Sequence, residues 1–212
     1  MSEIRVENII GETGVDAVNF TKGINVTGIV TATNVSIGSS VTATNFFGSG
    51  AGLSGVSAGK ILQVVQTVKT DTATTTSTNT FVDTGLSVSI TPSSASNKIL
   101  VTANLNFSAG DMQNIAWRLV RGSTDLYMGD AASNRTRASG AVRVSTNQDA
   151  EHQNCTSIFL DSPNTTSATT YKVQWCRTYS TSTIYMNRAS EDTDNDDRTR
   201  VPSSILVQEV AA

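Results

Sequence analysis

One histidine, two cysteines and a tight run of carboxylates are the side chains of this 212-residue chain best suited to covalent or metal chemistry. His152 lies in the polar stretch Gln148–Gln153. A Ser/His/Asp triad has to use it, yet there is no G-x-S-x-G nucleophile turn, so a solvated loop histidine is the better account. A zinc site of the common kind needs more ligands than His152, Cys155 and Cys176 supply. The two cysteines make no disulfide framework. They could approach on paired strands, and as buried free thiols they behave as small apolar residues. Glu191–Asp197 reads EDTDNDD, with Asp192, Asp194 and Asp196 at the 1-3-5 spacing of a calcium loop. Asp197 and Ser203 stand where an EF-hand has Gly and Glu, so that motif is excluded. The cluster is either another kind of calcium loop or a solvated hairpin tip between 183–188 and 203–210. Asp111, Asp125, Asp130 and Asp161 are conceivable glycosidase carboxylates. Nothing in the sequence sets any two at the separations of about 5 Å or about 6.5–9.5 Å that such chemistry needs. No motif calls for a cofactor, and the chain reads as non-enzymatic.

Binding is the better use of what remains. Aromatic and Arg side chains are the usual interface anchors. Tyr127 sits beside the loop 129–140, which carries Arg135 and Arg137. Tyr179, Tyr185 and Trp175 fall in a stretch, 171–188, that reads as one hairpin turning at Ser180-Thr181-Ser182. Tyr127, Arg135, Arg137, Tyr179 and Tyr185 are therefore the candidate contacts for a sugar or protein, with interfaces between copies of the chain as the other use of the tyrosines. Trp117 and Trp175 are expected to fill a core.

The elements that must hold these residues are strands. Charged residues are 16% of the chain, well under the roughly 25% of an average domain. Ser and Thr exceed a quarter of it, and Val, Ile and Thr outnumber the strong helix formers, an all-β composition. From Lys60 on, alternating segments recur at short intervals. They are 61–69, 80–91, 98–108, 115–121, 124–129, 140–146, 154–161, 170–178, 183–188 and 203–210, each bounded by turn residues. This is the spacing of a β-sandwich or barrel, and residues 60–212 suffice for one such core. The net charge of −3 gives no electrostatic case for nucleic acid. No apolar run approaches the ~18 residues of a membrane span. The N-terminus lacks the charged and apolar regions of a signal peptide, which fits synthesis in a reducing cytoplasm.

Upstream the texture changes. VTATN occurs at Val30–Asn34 and again at Val41–Asn45, and no Lys, Arg, Asp or Glu occurs from Val26 to Gly59. A repeat this short cannot bury a core within one chain. It either stays a flexible linker or pairs with copies of itself, placing Val30, Val35, Ile37, Val41 and Phe46 on a shared axis. The β-branched alternation and the lack of Pro favour the second. Residues 1–22 alternate around a Gly11–Gly14 turn. They are too few to fold alone and must dock on something larger.

The opening MSEIRVENIIGETGVDAVNFTKGINVTG, the VTATN repeats and GSGAGLSGV are followed by KILQVVQTVKTDTAT, SNKILVTANLNFSAG, DSPNTTSATTYKVQW and SSILVQEVA. Together these phrases resemble fibre proteins of tailed bacteriophages, especially those of cyanobacteria and marine bacteria. The resemblance covers most of the chain and is weakest over 130–154. It implies a homotrimer with a virion anchor (1–22), a repeat stalk and glycine neck (23–59) and a C-terminal jelly-roll-like head (60–212). It further implies a virion protein, a tail fibre that binds a host-surface glycan or protein through its head and other virion proteins through residues 1–22. The alternatives are a purely structural head, capsid, baseplate or collar fibre, and, third, a glycan-degrading tailspike. The family shares no catalytic residues that could be carried over to this sequence.

Overall fold

Period-two alternation of apolar and polar side chains puts one face of a strand in a core and the other outside. The computed structural model describes residues 25–27, 29, 31, 60–144, 151–179 and 181–212. The expected anchor, 1–22, and the stalk positions Val30, Val35, Ile37, Val41 and Phe46 lie outside the described residues. The chain divides into two units, Met1–Ser54 and Gly55–Ala212, and every described strand falls in the second. The strands are β1 (Ile61–Lys69), β2 (Ala73–Thr75), β3 (Val82–Ile90), β4 (Lys98–Ala109), β5 (Gln113–Arg121), β6 (Thr124–Leu126), β7 (Gly140–Val144), β8 (Gln153–Asp161), β9 (Thr169–Arg177), β10 (Ile184–Met186) and β11 (Ser203–Val210). Among the described residues there is no helix. The protein is all-β, as its composition predicts.

The strands form two antiparallel sheets. In the first, β4 is central. One of its edges pairs with β8 over Ile99–Phe107. The other pairs with β11 over Lys98–Asn104 and then with β10 over Phe107–Ala109. β10 and β11 thus lie end to end along β4, and β1 and β2 extend the sheet in the same divided way. The second sheet runs β3-β9-β5, with β7 and β6 sharing the far edge of β5.

The core lies between the sheets. Leu86, Val88 and Ile90 of β3, Ile115, Trp117 and Leu119 of β5, and Tyr171, Val173 and Trp175 of β9 face Ile99 to Phe107 of β4 and Ile205 and Val207 of β11. Trp117 and Trp175 pair in register across β5 and β9. Both rings lie against Phe107, at centroid distances of 5.5 and 5.6 Å. The Trp117 Nε1–H donates to Ser157 Oγ at 2.8 Å, so the indole is buried without an orphaned donor. The tryptophans are core residues, as expected.

Two hairpins read from the sequence are absent. β9 belongs to the second sheet and β10 to the first, so 171–188 is a crossover between sheets. Likewise, β10 and β11 are collinear partners of β4, and residues 187–202 form an excursion from one interrupted strand. Asn187 anchors that interruption with φ 66°. Its N–H donates to the Asn106 carbonyl, and its Nδ2 donates to the carbonyls of Lys69 and Asp71 at 2.8 and 2.9 Å. Its Oδ1 accepts from Ser203 Oγ. β2 was not expected from sequence; three residues are too few to show alternation.

The first sheet has an outer face that nothing described covers. Its rows follow from the register. Val64, Gln208, Leu100 and Leu160 form one row, and Gln66, Leu206, Thr102 and Ile158 the next. Val68, Ser204, Asn104 and Thr156 follow, and Ile61 and Val210 pair at the opposite end. Towards Asn106 the face turns polar: Asn154 Nδ2 donates to the Oδ1 atoms of both Asn104 (2.6 Å) and Asn106 (2.9 Å).

Candidate functional site

The flank where β6 and β8 approach carries the most distinctive geometry. Gly122, at φ 57°, turns β5 into β6, and Leu126 drops into the core. Tyr127 follows with φ 52°, a left-handed conformation that a bulky side chain rarely adopts. Such strain costs about 1–3 kcal/mol and gathers at functional sites. The Tyr127 side chain remains half-exposed, at 52%, with its ring 5.5 Å from that of Phe159 of β8 and tilted by 32°. Between them opens a shallow hollow of about 600 Å3, lined also by Met128, Gly129, Ala138 and Ser139.

The loop above the hollow is tied down at its base. The Ser139 N–H donates to the Trp117 carbonyl at 2.9 Å. Ser139 Oγ donates to the Leu126 carbonyl at 2.8 Å and accepts from the Leu119 N–H at 2.9 Å. A Cβ on Gly140 would stand 2.3 Å from Trp117 Cζ2, so only glycine lets the returning chain lie against that ring. Gly129 and Ala138 close the loop through a backbone bond, and Arg137 Nε donates to the Gly129 carbonyl at 2.7 Å. Arg135 and Arg137 are both exposed. An aromatic ring on a fixed base, with one guanidinium tied to the Gly129 carbonyl beside it, suits stacking and hydrogen bonding to a polar ligand.

Of the five candidate contacts, Arg137 is held beside the Tyr127 hollow through its bond to the Gly129 carbonyl, and Arg135 is exposed further along the same loop. The other two lie elsewhere. Thr178 bonds the Asn114 carbonyl, which puts Tyr179 at the start of β5, whereas Leu126 pairs with Leu119. Some five residues of β5 separate them, about 17 Å at the usual rise. Arg143 stacks on the Tyr179 ring at 5.0 Å. Tyr185, paired with Ser108 and Thr74, lies at the polar end of the first sheet's outer face under Arg188 at 4.5 Å. Phe159 and Met128 were missed from sequence, because a hydrophobic residue beside a loop is indistinguishable there from core.

The residues suited to chemistry are placed apart or committed. Asp192 takes Arg200 at 2.6 Å and Arg188 at 3.1 Å, and the Arg200 hydrogen bond leads in holding its pKa below the ordinary carboxylate value. Among the described residues Asp194 and Asp196 have no such partners, and no group of three His, Cys, Asp or Glu is set to hold a metal ion. Asp161 is buried and accepts from Arg121 and from the Tyr171 hydroxyl at 2.7 Å. Asp125 pairs with Arg118 at 2.6 Å, and Asp111 accepts from the Met112 N–H at 2.7 Å. Among the described residues no two of Asp111, Asp125, Asp130 and Asp161 share a partner. Cys155 on β8 and Cys176 on β9 lie in different sheets, so they are not on paired strands. Both are free, and burial pushes both thiols up to about 11, which keeps them protonated and unreactive at neutral pH. His152 is less solvated than its polar stretch suggests. Its ring nitrogens are buried without a hydrogen-bond partner among the described residues. Burial holds its pKa below the ordinary histidine value, against an opposing pull from the Thr199 backbone.

Comparison of the sequence with known protein families and with curated proteins finds no match.

Proposed function

We propose that this chain is a fibre subunit of a tailed-bacteriophage virion, homotrimeric, that attaches to a host-surface glycan or protein through its C-terminal head. The strand order supports a jelly-roll-like head: β1-β11-β4-β8 faces β3-β9-β5-β7, the two-sheet, Greek-key arrangement of that architecture. The observation that carries the adhesive role is Tyr127. A strained tyrosine is kept half-exposed at the mouth of an aromatic hollow, where burial alone gives no reason for it. Each site is shallow, so its single-site affinity is low. Three copies per fibre raise the avidity by ~10²–10⁴ without new contacts.

The test is binding of the labelled full chain to susceptible cells, comparing the wild type with Tyr127→Ala. An aromatic anchor is worth about 2 kcal/mol, roughly thirtyfold in site affinity. Loss of that order with an unchanged melting curve supports the reading. Equal binding by both chains rejects Tyr127 as a contact. A folded wild-type chain that binds no susceptible strain turns the reading to a structural fibre of the capsid, baseplate or collar.

A further inference from the structure

We infer that residues 187–202 form a pH-sensitive strap, latched over the neutral ring of His152 and released when that ring takes a proton. The inference stands on the head alone and does not need the fibre reading.

The strap leaves and rejoins the first sheet at one place. Arg188 and Arg200 form an isolated antiparallel bridge, and the Val201 N–H donates to the Asn187 carbonyl. Asn106 Nδ2 donates to the Pro202 carbonyl and Ser108 Oγ to the Arg188 carbonyl, each at 2.6 Å. Beyond this root the strap is held to itself by ion pairs. Arg198 pairs with Glu191 at 2.8 Å and with Asp197 at 2.6 Å, and Arg200 pairs with Asp192 at 2.6 Å. Between those two arginines lies Thr199, whose backbone stands beside the His152 ring. His152 itself comes one residue before β8 begins.

Both nitrogens of that ring are buried, and neither has a hydrogen-bond partner among the described residues. A neutral imidazole carries one N–H and one lone pair, whereas the imidazolium carries two N–H donors and a full charge. Burying the charged form without acceptors is the costlier of the two. Among the described residues the polar and charged groups around the ring are already engaged. Arg198 and Arg200 are paired as above. Glu151 accepts from Gln153 Nε2 at 2.7 Å. Ser108 of β4, next to the Phe107 that pairs with Gln153, spends its hydroxyl on Arg188. Burial is accordingly the larger influence on the ring, and the Thr199 backbone the smaller, opposing one. A closed strap favours the neutral ring, and an open strap gives the ring to water at its ordinary value of 6.5. Below 6.5 the open form takes the proton first. Closure therefore weakens as pH falls, and levels off only below the closed form's own value.

His152 is the only histidine of the chain, and histidine is the side chain whose ordinary value falls between about pH 5 and about pH 7.5. Hydrogen exchange of the full chain is measured at both pH values and corrected for intrinsic exchange, in the wild type and in His152→Gln, with His152→Phe as a second uncharged variant. The amides read are those of Arg198 and Val201 in the strap and of Leu119 and Val173, paired in the second sheet. A segment that opens by itself exchanges faster than the core. The expected result at about pH 5 is strap amides at least about tenfold less protected than the core pair. They should also have lost at least about fivefold since about pH 7.5, against a ceiling of about thirtyfold one and a half units below 6.5. Whichever variant folds should show no such loss. Strap protection that is constant in the wild type overturns the inference. Strap and core amides that exchange alike also overturn it, because the whole head then opens at once. A loss that persists in a folded variant assigns the effect to another group and overturns it too. The proton resonances of the lone imidazole decide the matter if neither variant folds: a midpoint below 6.5 is expected, and one at or above 6.5 overturns the latch.

Discussion

Glu209 shows at the scale of one residue how this fold holds a charge. It faces inward from β11 and is fully buried. Burial by itself would raise its pKa. Hydrogen bonds from Asn97 Nδ2, Gln63 Nε2 and both the N–H and Oγ of Ser93 outweigh that and hold it at about 2. A carboxylate depressed in the folded state contributes stability above its unfolded value and loses it as pH falls through the folded one. The wild type should therefore lose stability between pH 4.5 and about 2. His152 acts in the same direction at higher pH: the unfolded chain protonates first, below 6.5. Urea titrations across this range should show Glu209→Gln about 2–3 kcal/mol less stable at neutral pH and lacking most of the acid slope below pH 4.5. An unchanged slope would mean that another group carries it. Tyr127 is the opposite case. Its ring is half outside, so Tyr127→Ala should move the melting temperature little while removing binding.

At the scale of elements, two positions carry more than their strands reveal. Gly140→Ala pushes a methyl into the Trp117 ring, and overpacking of this kind costs about 1–3 kcal/mol. The loss should appear in urea unfolding together with altered tryptophan emission. Asn187→Ala removes the side-chain bonds that join β10, β11 and the β1–β2 break, and puts alanine at a positive φ. The combined cost is about 2–4 kcal/mol, with Asn187→Gly losing less because it relieves the backbone. Equal losses for the two would remove the backbone share of that argument.

Most of the strands were legible because alternation is a local signal. Ile115, Trp117 and Leu119 against Arg118 could be assigned to opposite faces without any partner. What pairs with what was not legible. The segment 171–188 looks like a hairpin because its turn residues are right, yet its strands enter different sheets, a choice made by the rest of the core. The outer apolar face did have a signal. Ile158-Phe159-Leu160 and Ile205-Leu206-Val207 are apolar on both parities, the mark of strands covered on both faces. Of the candidate contacts, Tyr127 and Arg137 could be grouped because Tyr127 stands just before the loop that carries Arg137, whose guanidinium returns to the Gly129 carbonyl. Tyr179 and Tyr185 were grouped with them only by residue type.

At the scale of the whole molecule, the proposed fibre reading assigns contact with the host to the Tyr127 hollow on the flank of the head. The measurement that tests this most directly is saturation binding of the labelled, oligomeric full chain to susceptible cells, with competition against infection by phage particles that carry the same chain. The account predicts saturable binding that blocks infection in the wild type and is lost with Tyr127→Ala. A folded oligomer that binds no susceptible strain and leaves infection unchanged would contradict it.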